Sequence, residues 1–479
     1  MSVEVKSGND QKDPKEFYKE LTKGKKLILS IDGGGTKGLL PLYCLQKLEE
    51  LAGEPCYKIF DFYAGTSTGA IIAAALACRM KAEKITKLYK EFIQEVFPPP
   101  PKRTVLGAIA KAFLAIARQF GLEAIGPEMQ ELVQFLIANE LKYVYKHQKL
   151  WELIGEHICK NKQGKPITLK DIYTESKSEF GKPKRLLITL KDVERSETLF
   201  AVNAGPGAEP FQDMPLVYAV LASAVAPVYL EPFRVWVDGG VGSYSNPCYR
   251  AMLEATEYFT GEAYRKREET YETRDDDDQY IRENIIHFSF GTGYTPNFKR
   301  YGPGGKKDPR EDVSKMIFFD WMRYVISEQL DEADNDQVLL TQRHFSNVDF
   351  RRYQLTLDLD LLEADINDGG LGIKIPPRYR KCIPNLTMVS SGNEDIETME
   401  FLGKAWADAI GYDFSKPHYP YDNKSPYWPV GAVPLSIPGK LKHTVPSAIM
   451  VCRNKNLKPL RNYLNEKVNA LKVDKRYRL

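Results

Sequence analysis

Apolar residues in this chain fall into short unbroken runs that end on glycine, alternating with longer stretches of helical spacing. Residues 27–31 (LILSI) read as a buried strand and lead into Asp32-Gly33-Gly34-Gly35-Thr36-Lys37-Gly38. Next, Leu39, Leu42, Leu45, Leu48 and Leu51 recur at every third position, a stripe that predicts a helix. Residues 59–64 predict a second strand, followed by Gly65-Thr66-Ser67-Thr68-Gly69 and an Ala- and Ile-rich helix to about Met80. Strand, glycine turn and helix, twice over, predict an α/β sheet with parallel strands. Further strands are expected at 185–190, 199–203, 235–237 and 285–290, with a helix at 216–225. The third of those strands delivers Asp238-Gly239-Gly240, and the last ends in Gly291-Thr292-Gly293.

Elsewhere the pattern changes character. Residues 1–24 form a polar leader, and Pro98 to Pro101 make a break before helical patterns that continue to about Lys160. Within them, residues 102–120 set Val105, Leu106, Ile109, Phe113, Ile116 and Phe120 against Lys102, Arg103, Lys111 and Arg118. That segment suits a core-packed helix with a basic edge, or else an interfacial helix on anionic headgroups. Asp275 to Asp278 read as a solvated acidic loop rather than a calcium site, because no ligand spacing follows them. Beyond Tyr412 the chain turns to Pro, Tyr and Asn, and only 457–471 regains helical spacing. The expected division is therefore a leader at 1–24, a main domain at 25–411 with a helical insertion at 98–160, and an extension at 412–479.

Composition narrows the function class. With 43% hydrophobic and 27% charged residues the chain is an ordinary globular protein. A net charge of +3 gives no ground for nucleic acid as a partner. Seven cysteines, none in a tight metal or disulfide pattern, favour a reducing compartment. There is no signal-peptide run near the start and no window of 18 apolar residues, so a cytoplasmic protein, at most peripheral at membranes, is expected.

The chemistry lies in the glycine turns. Gly65, Thr66, Ser67, Thr68 and Gly69 between strand and helix match the nucleophile elbow, a tight turn that lifts a serine hydroxyl above the sheet. Gly33, Gly34, Gly35, Thr36, Lys37 and Gly38 offer a row of unobstructed backbone amides, as an oxyanion hole requires. A phosphate-cradling loop is the competing reading, since DGGGTK also resembles the first phosphate motif of actin-like sugar kinases. That motif, however, should continue as a hairpin, whereas a helical stripe follows here. Six histidines are available to serve a nucleophilic serine, but none sits in a recognisable catalytic loop, and His287 lies inside a strand pattern. Asp238, before Gly239 and Gly240, is either a turn residue or a base whose burial raises its pKa from about 3.9.

Taken in order, these segments resemble the patatin-like phospholipases. Asp32 to Gly38 match the family's D-G-G-G-x-[RK]-G loop, Gly65 to Gly69 its G-x-S-x-G, and Asp238 to Gly240 its D-G-[GA]. Ala222 to Pro227, Ser245-Asn246-Pro247, Phe290 to Gly293 and a weaker stretch at 353–409 agree with it as well. The resemblance implies a three-layer α/β/α fold with a central, mostly parallel sheet. It also implies a Ser–Asp dyad without histidine: Ser67 the nucleophile, Asp238 the base and the Gly33–Gly38 backbone the oxyanion hole. Substrates would be phospholipids or other polar acyl lipids met during transient membrane contact. Neither metal nor organic cofactor would be needed, and a regulatory ligand or protein activator would fit the long C-terminal region. A transacylase using the same acyl-enzyme, and a non-catalytic lipid-binding or storage protein, are the alternatives.

Overall fold

The computed structural model describes residues 13–98, 145–258, 285–295, 333–414 and 449–452, apart from 162, 206, 228, 342–343, 346–347 and 364–370. Half of the leader, most of the insertion and extension, the 102–120 segment, and Asp275 to Asp278 lie outside the described residues. The described part of the leader includes a helix, α1 (Pro14–Thr22), capped by the Asp13 carboxylate and burying Phe17 and Leu21.

The centre is one mixed sheet. Its strands are β1 (Lys26–Ile31), β2 (Phe62–Thr66), β3 (Arg185–Asp192), β4 (Glu197–Val202), β5 (Trp236–Asp238), β6 (Ile285–Phe290), β7 (Asp349–Leu355) and β8 (Ile449–Cys452). They run in the order β4-β3-β2-β1-β6-β7-β8, with β5 also paired to β3. The inner pairs are parallel, while β4, β5 and β8 join antiparallel. The extension thus contributes an edge strand, with Arg352 facing Cys452.

Side-chain alternation divides the core between the two faces. Leu27, Leu29 and Ile31 of β1 point into the larger cluster, with α2 (Leu39–Ala52), α3 (Thr68–Ala77), α4 (Ala82–Val96), α5 (Gln148–His157), α6 (Leu216–Ala224) and α8 (Asn393–Phe414). Ile28 points the other way, onto Cys248, Ala251, Met252 and Ala255 of α7 (Cys248–Tyr258). The result is the α/β/α architecture. β2 starts at Phe62 rather than at residue 59, because Cys56–Ile59 form a helical turn after Pro55 and β1 pairs only from Ile28↔Phe62. Likewise α8 runs past residue 412 and buries Phe414 among Phe288, Phe290 and Tyr353.

Candidate active site

Parallel neighbours β1 and β2 end on the same side of the sheet, where open α/β folds bind ligands. The glycine loop follows β1 and Ser67 follows β2, so topology alone brings them together. They touch: a methyl group on Gly33 would stand 3.2 Å from the Ser67 Cβ.

Ser67 is held in a conformation that side chains rarely adopt, with φ 54° and ψ −123°. The turn is tight enough that a Cβ on Gly69 would come within 2.1 Å of the Ile31 carbonyl oxygen. Serine is a preferred helix cap, yet the Ser67 hydroxyl makes no capping bond to α3. It lies beside the Asp238 carboxylate instead, where it favours the charged form. The positive end of the α3 dipole still lies beside it.

Asp238 arrives by way of β3. The β2 ladder on β3 closes at Thr66↔Thr189, and the next β3 residue pairs with the last of β5, at Leu190↔Asp238. Because β4 occupies the other edge over the same residues, β5 continues along the edge that β2 leaves. Ser67 and Asp238 therefore meet end to end across 171 positions of sequence (238 − 67). Burial pushes the Asp238 carboxyl up to about 6, against the lowering effect of the Ser67 hydroxyl and the Gly240 amide. The Gly240 amide stands 2.8 Å from Asp238 Oδ1.

In the glycine loop the amides divide. Gly33 donates to the Ser245 carbonyl at 3.0 Å, Thr36 to that of Met388 at 2.8 Å, and Lys37 to that of Gly34 at 3.3 Å. No acceptor among the described residues takes the amides of Gly34 and Gly35. The Thr292 hydroxyl donates to the Gly33 carbonyl at 2.6 Å, and the Gly35 carbonyl accepts from Thr68 and Tyr89, both at 2.7 Å. Lys37 directs its ammonium to the Gly293 carbonyl, 3.2 Å away. Gly38 packs under Thr68, whose methyl leaves no space for a Cβ.

Sequence reading missed two features. Asp32, at the root of the loop, forms a buried bidentate pair with Arg352 of β7. Burial disfavours the Arg352 cation, but the adjoining Asp32 carboxylate outweighs it and raises the guanidinium pKa. No local signal ties an arginine to an aspartate 320 positions earlier. Second, an apolar cavity of about 540 Å3, mouth included, opens at Ser67. Ile71 of α3, Tyr89, Phe92, Ile93 and Val96 of α4, Leu150 of α5 and Met388 line it, and among the described residues no charged side chain does.

The described histidines have other partners than Ser67 and Asp238. His147 bonds the Glu231 carbonyl, His344 bonds Tyr249, and His287 is buried against Ser30 with its pKa lowered by burial to about 3. His157 reaches Glu156, while His418 and His443 lie outside the described residues. Among the described residues, no three His, Cys, Asp or Glu side chains converge to hold a metal ion. No described helix is long and apolar enough to cross a membrane.

The family model for patatin-like phospholipases matches residues 29–252, the stretch that carries the glycine loop, Ser67 and Asp238. Over that stretch, just under half of its length, the chain matches the patatin-like phospholipase family. It is similar to the cUMP-AMP-activated phospholipase of Escherichia coli, 46% identical over 14% of this chain and 22% of that protein. The human calcium-independent phospholipase A2-gamma is 43% identical over 17% of this chain and 10% of its own length. Patatin-like protein 2 of Arabidopsis thaliana is 25% identical over 49% of this chain and 53% of that one. The chain thus spans from a tenth to about half of the length of these relatives.

Proposed function

We propose that this protein hydrolyses fatty-acyl esters of phospholipids or related polar lipids through an acyl-Ser67 intermediate. One observation carries the reading: a serine hydroxyl on a strained elbow, beside a buried carboxyl of pKa about 6, at the mouth of an apolar cavity. The match of residues 29–252 to the patatin-like phospholipases supports it. So does the uncharged lining, which suits an acyl chain and leaves a polar headgroup at the opening.

In the proposed sequence the ionised Asp238 takes the Ser67 proton as Oγ attacks the ester carbonyl. The amides of Gly34 and Gly35 receive the oxyanion, being the loop donors with no acceptor among the described residues. Collapse expels the alcohol, which leaves with the proton held by Asp238. Water then gives a proton to Asp238 and attacks the acyl-serine, and the fatty acid departs as Ser67 recovers its proton. The kinase alternative loses its support, since helix α2 rather than a hairpin follows the loop.

Fatty-acid release from phosphatidylcholine vesicles tests the reading. Because the base must be ionised, kcat/KM is expected to rise with pH through about 6 and level off above it. A flat profile between pH 5 and 7, or no release at all, would refute it. Acyl transfer to added glycerol or lysolipid in excess of hydrolysis would favour the transacylase. Gly35→Ala provides a second check, because φ is +57° and the new methyl would lie 2.0 Å from the Met388 carbonyl oxygen. Displacing that loop is expected to lower kcat by about 100- to 1,000-fold, the scale of a lost oxyanion donor. Single-turnover kinetics would measure it.

A further inference from the structure

The last turn of α6 reaches both members of the Ser67–Asp238 pair. The Ser223 hydroxyl, fully buried, accepts the Ser67 backbone amide at 2.9 Å and donates to the Thr189 carbonyl at 2.6 Å. Its directions are unambiguous: a carbonyl only accepts and an amide only donates, so the single hydroxyl proton goes to Thr189. Two residues on, the Val225 carbonyl accepts the Asp238 amide at 3.1 Å. Thr189 is also the residue that β3 pairs with Thr66, immediately before the nucleophile.

We infer that Ser223 is a positioning residue: its hydroxyl ties the Ser67 elbow to β3, while the same chain end holds Asp238 through Val225, fixing the separation of nucleophile and base. The inference rests on the Ser–Asp hydrolase reading above. Its physical ground is that Ser67 sits at a φ its side chain disfavours, so the backbone needs an anchor, and the elbow amide takes it from Ser223. The same bond withholds that amide from the oxyanion, leaving this duty to the glycine loop. Without the hydroxyl, a buried amide and one acceptor site on the Thr189 carbonyl lose their partner, and relaxation of the elbow carries Oγ away from Asp238.

The test uses the full chain, a soluble p-nitrophenyl ester and a fluorophosphonate probe. Wild type must be labelled at Ser67, and Ser67→Ala must not; failure here defeats the hydrolase reading itself. Ser223→Ala is expected to lower kcat by about 10- to 100-fold, the cost of a small misplacement of reacting groups, with KM nearly unchanged and labelling slowed in proportion. The acid limb of its kcat/KM profile should move to higher pH, since Asp238 loses the nearby hydroxyl that favours its charged form. Burial, that hydroxyl and the Gly240 amide are the influences on Asp238, so the limb reports the Ser67 contact. Ser223→Cys, similar in size with weaker hydrogen bonding, should fall between wild type and Ser223→Ala, and it decides the matter if the alanine variant does not fold. Ala222→Gly, in the same buried turn, controls for lost stability and should keep the wild-type pH limb. Wild-type kcat and limb in Ser223→Ala, or in the cysteine variant where alanine does not fold, would overturn the assignment. A loss shared equally by Ala222→Gly at matched Tm would do the same.

Discussion

Ser67→Ala and Asp238→Asn are each expected to lower fatty-acid release by about ten-thousand-fold or more, the scale on which nucleophile and base fail when they act as one unit. The double variant should be little worse than either single one, because neither group works without the other. Replacing each histidine by alanine should leave turnover within a few-fold of wild type. Radiolabelled vesicle hydrolysis measures all of these. An indispensable imidazole, or an Asp238→Asn enzyme of normal activity, would defeat the dyad.

The two single variants should part company in stability. Holding a carboxyl up from 3.8 to about 6 by burial costs on the order of 3 kcal/mol at neutral pH. The sign follows from linkage: a raised folded-state pKa favours the fold at low pH, and that contribution is lost as pH climbs through about 6. Asparagine keeps the shape and the acceptor for the Gly240 amide without the charge, so Asp238→Asn should melt a few degrees above wild type at pH 8. At pH 4 the difference should shrink. A lower melting temperature at both pH values would show that the carboxylate stabilises the fold instead.

The second large effect concerns stability alone. Arg352→Met should destabilise the protein by about 3–5 kcal/mol, because it strands the buried Asp32 carboxylate. The double variant Asp32→Asn/Arg352→Met should recover most of that loss, since an uncharged pair leaves nothing unpaired of comparable cost. Urea denaturation read as a double-mutant cycle gives the coupling. Single and double variants of equal stability would mean that the pair carries little. Activity should follow loop geometry, as Asp32 is the residue from which the glycine loop departs.

Much of the local structure was legible because strong local rules act there. The stripe from Leu39 to Leu51 became α2, and the run at 27–31 became all but the first residue of β1. At residue 59 the local rule failed, since Pro55 starts a helical turn and the partner strand sets where β2 begins. Amphipathic α1 hid within a polar leader because only Phe17 and Leu21 are buried in the core, with Tyr18 packed at its edge, too few to register against lysines and glutamates.

The chain's own order of residues determined the turns: which glycines permit the elbow and the loop, and which serine and aspartate stand at strand ends. These are short-range matters of steric space and backbone freedom, decided within a few neighbouring residues. Tertiary structure alone decided that Asp238 reaches Ser67, since this depends on β5 taking up the edge of β3 where β2 stops. The same holds for Arg352 beneath Asp32, Ser223 behind the elbow, and the division of loop amides into bonded and open. Each arises from strand pairing and burial between distant segments, whose free energy belongs to the folded assembly and leaves no mark on local pattern.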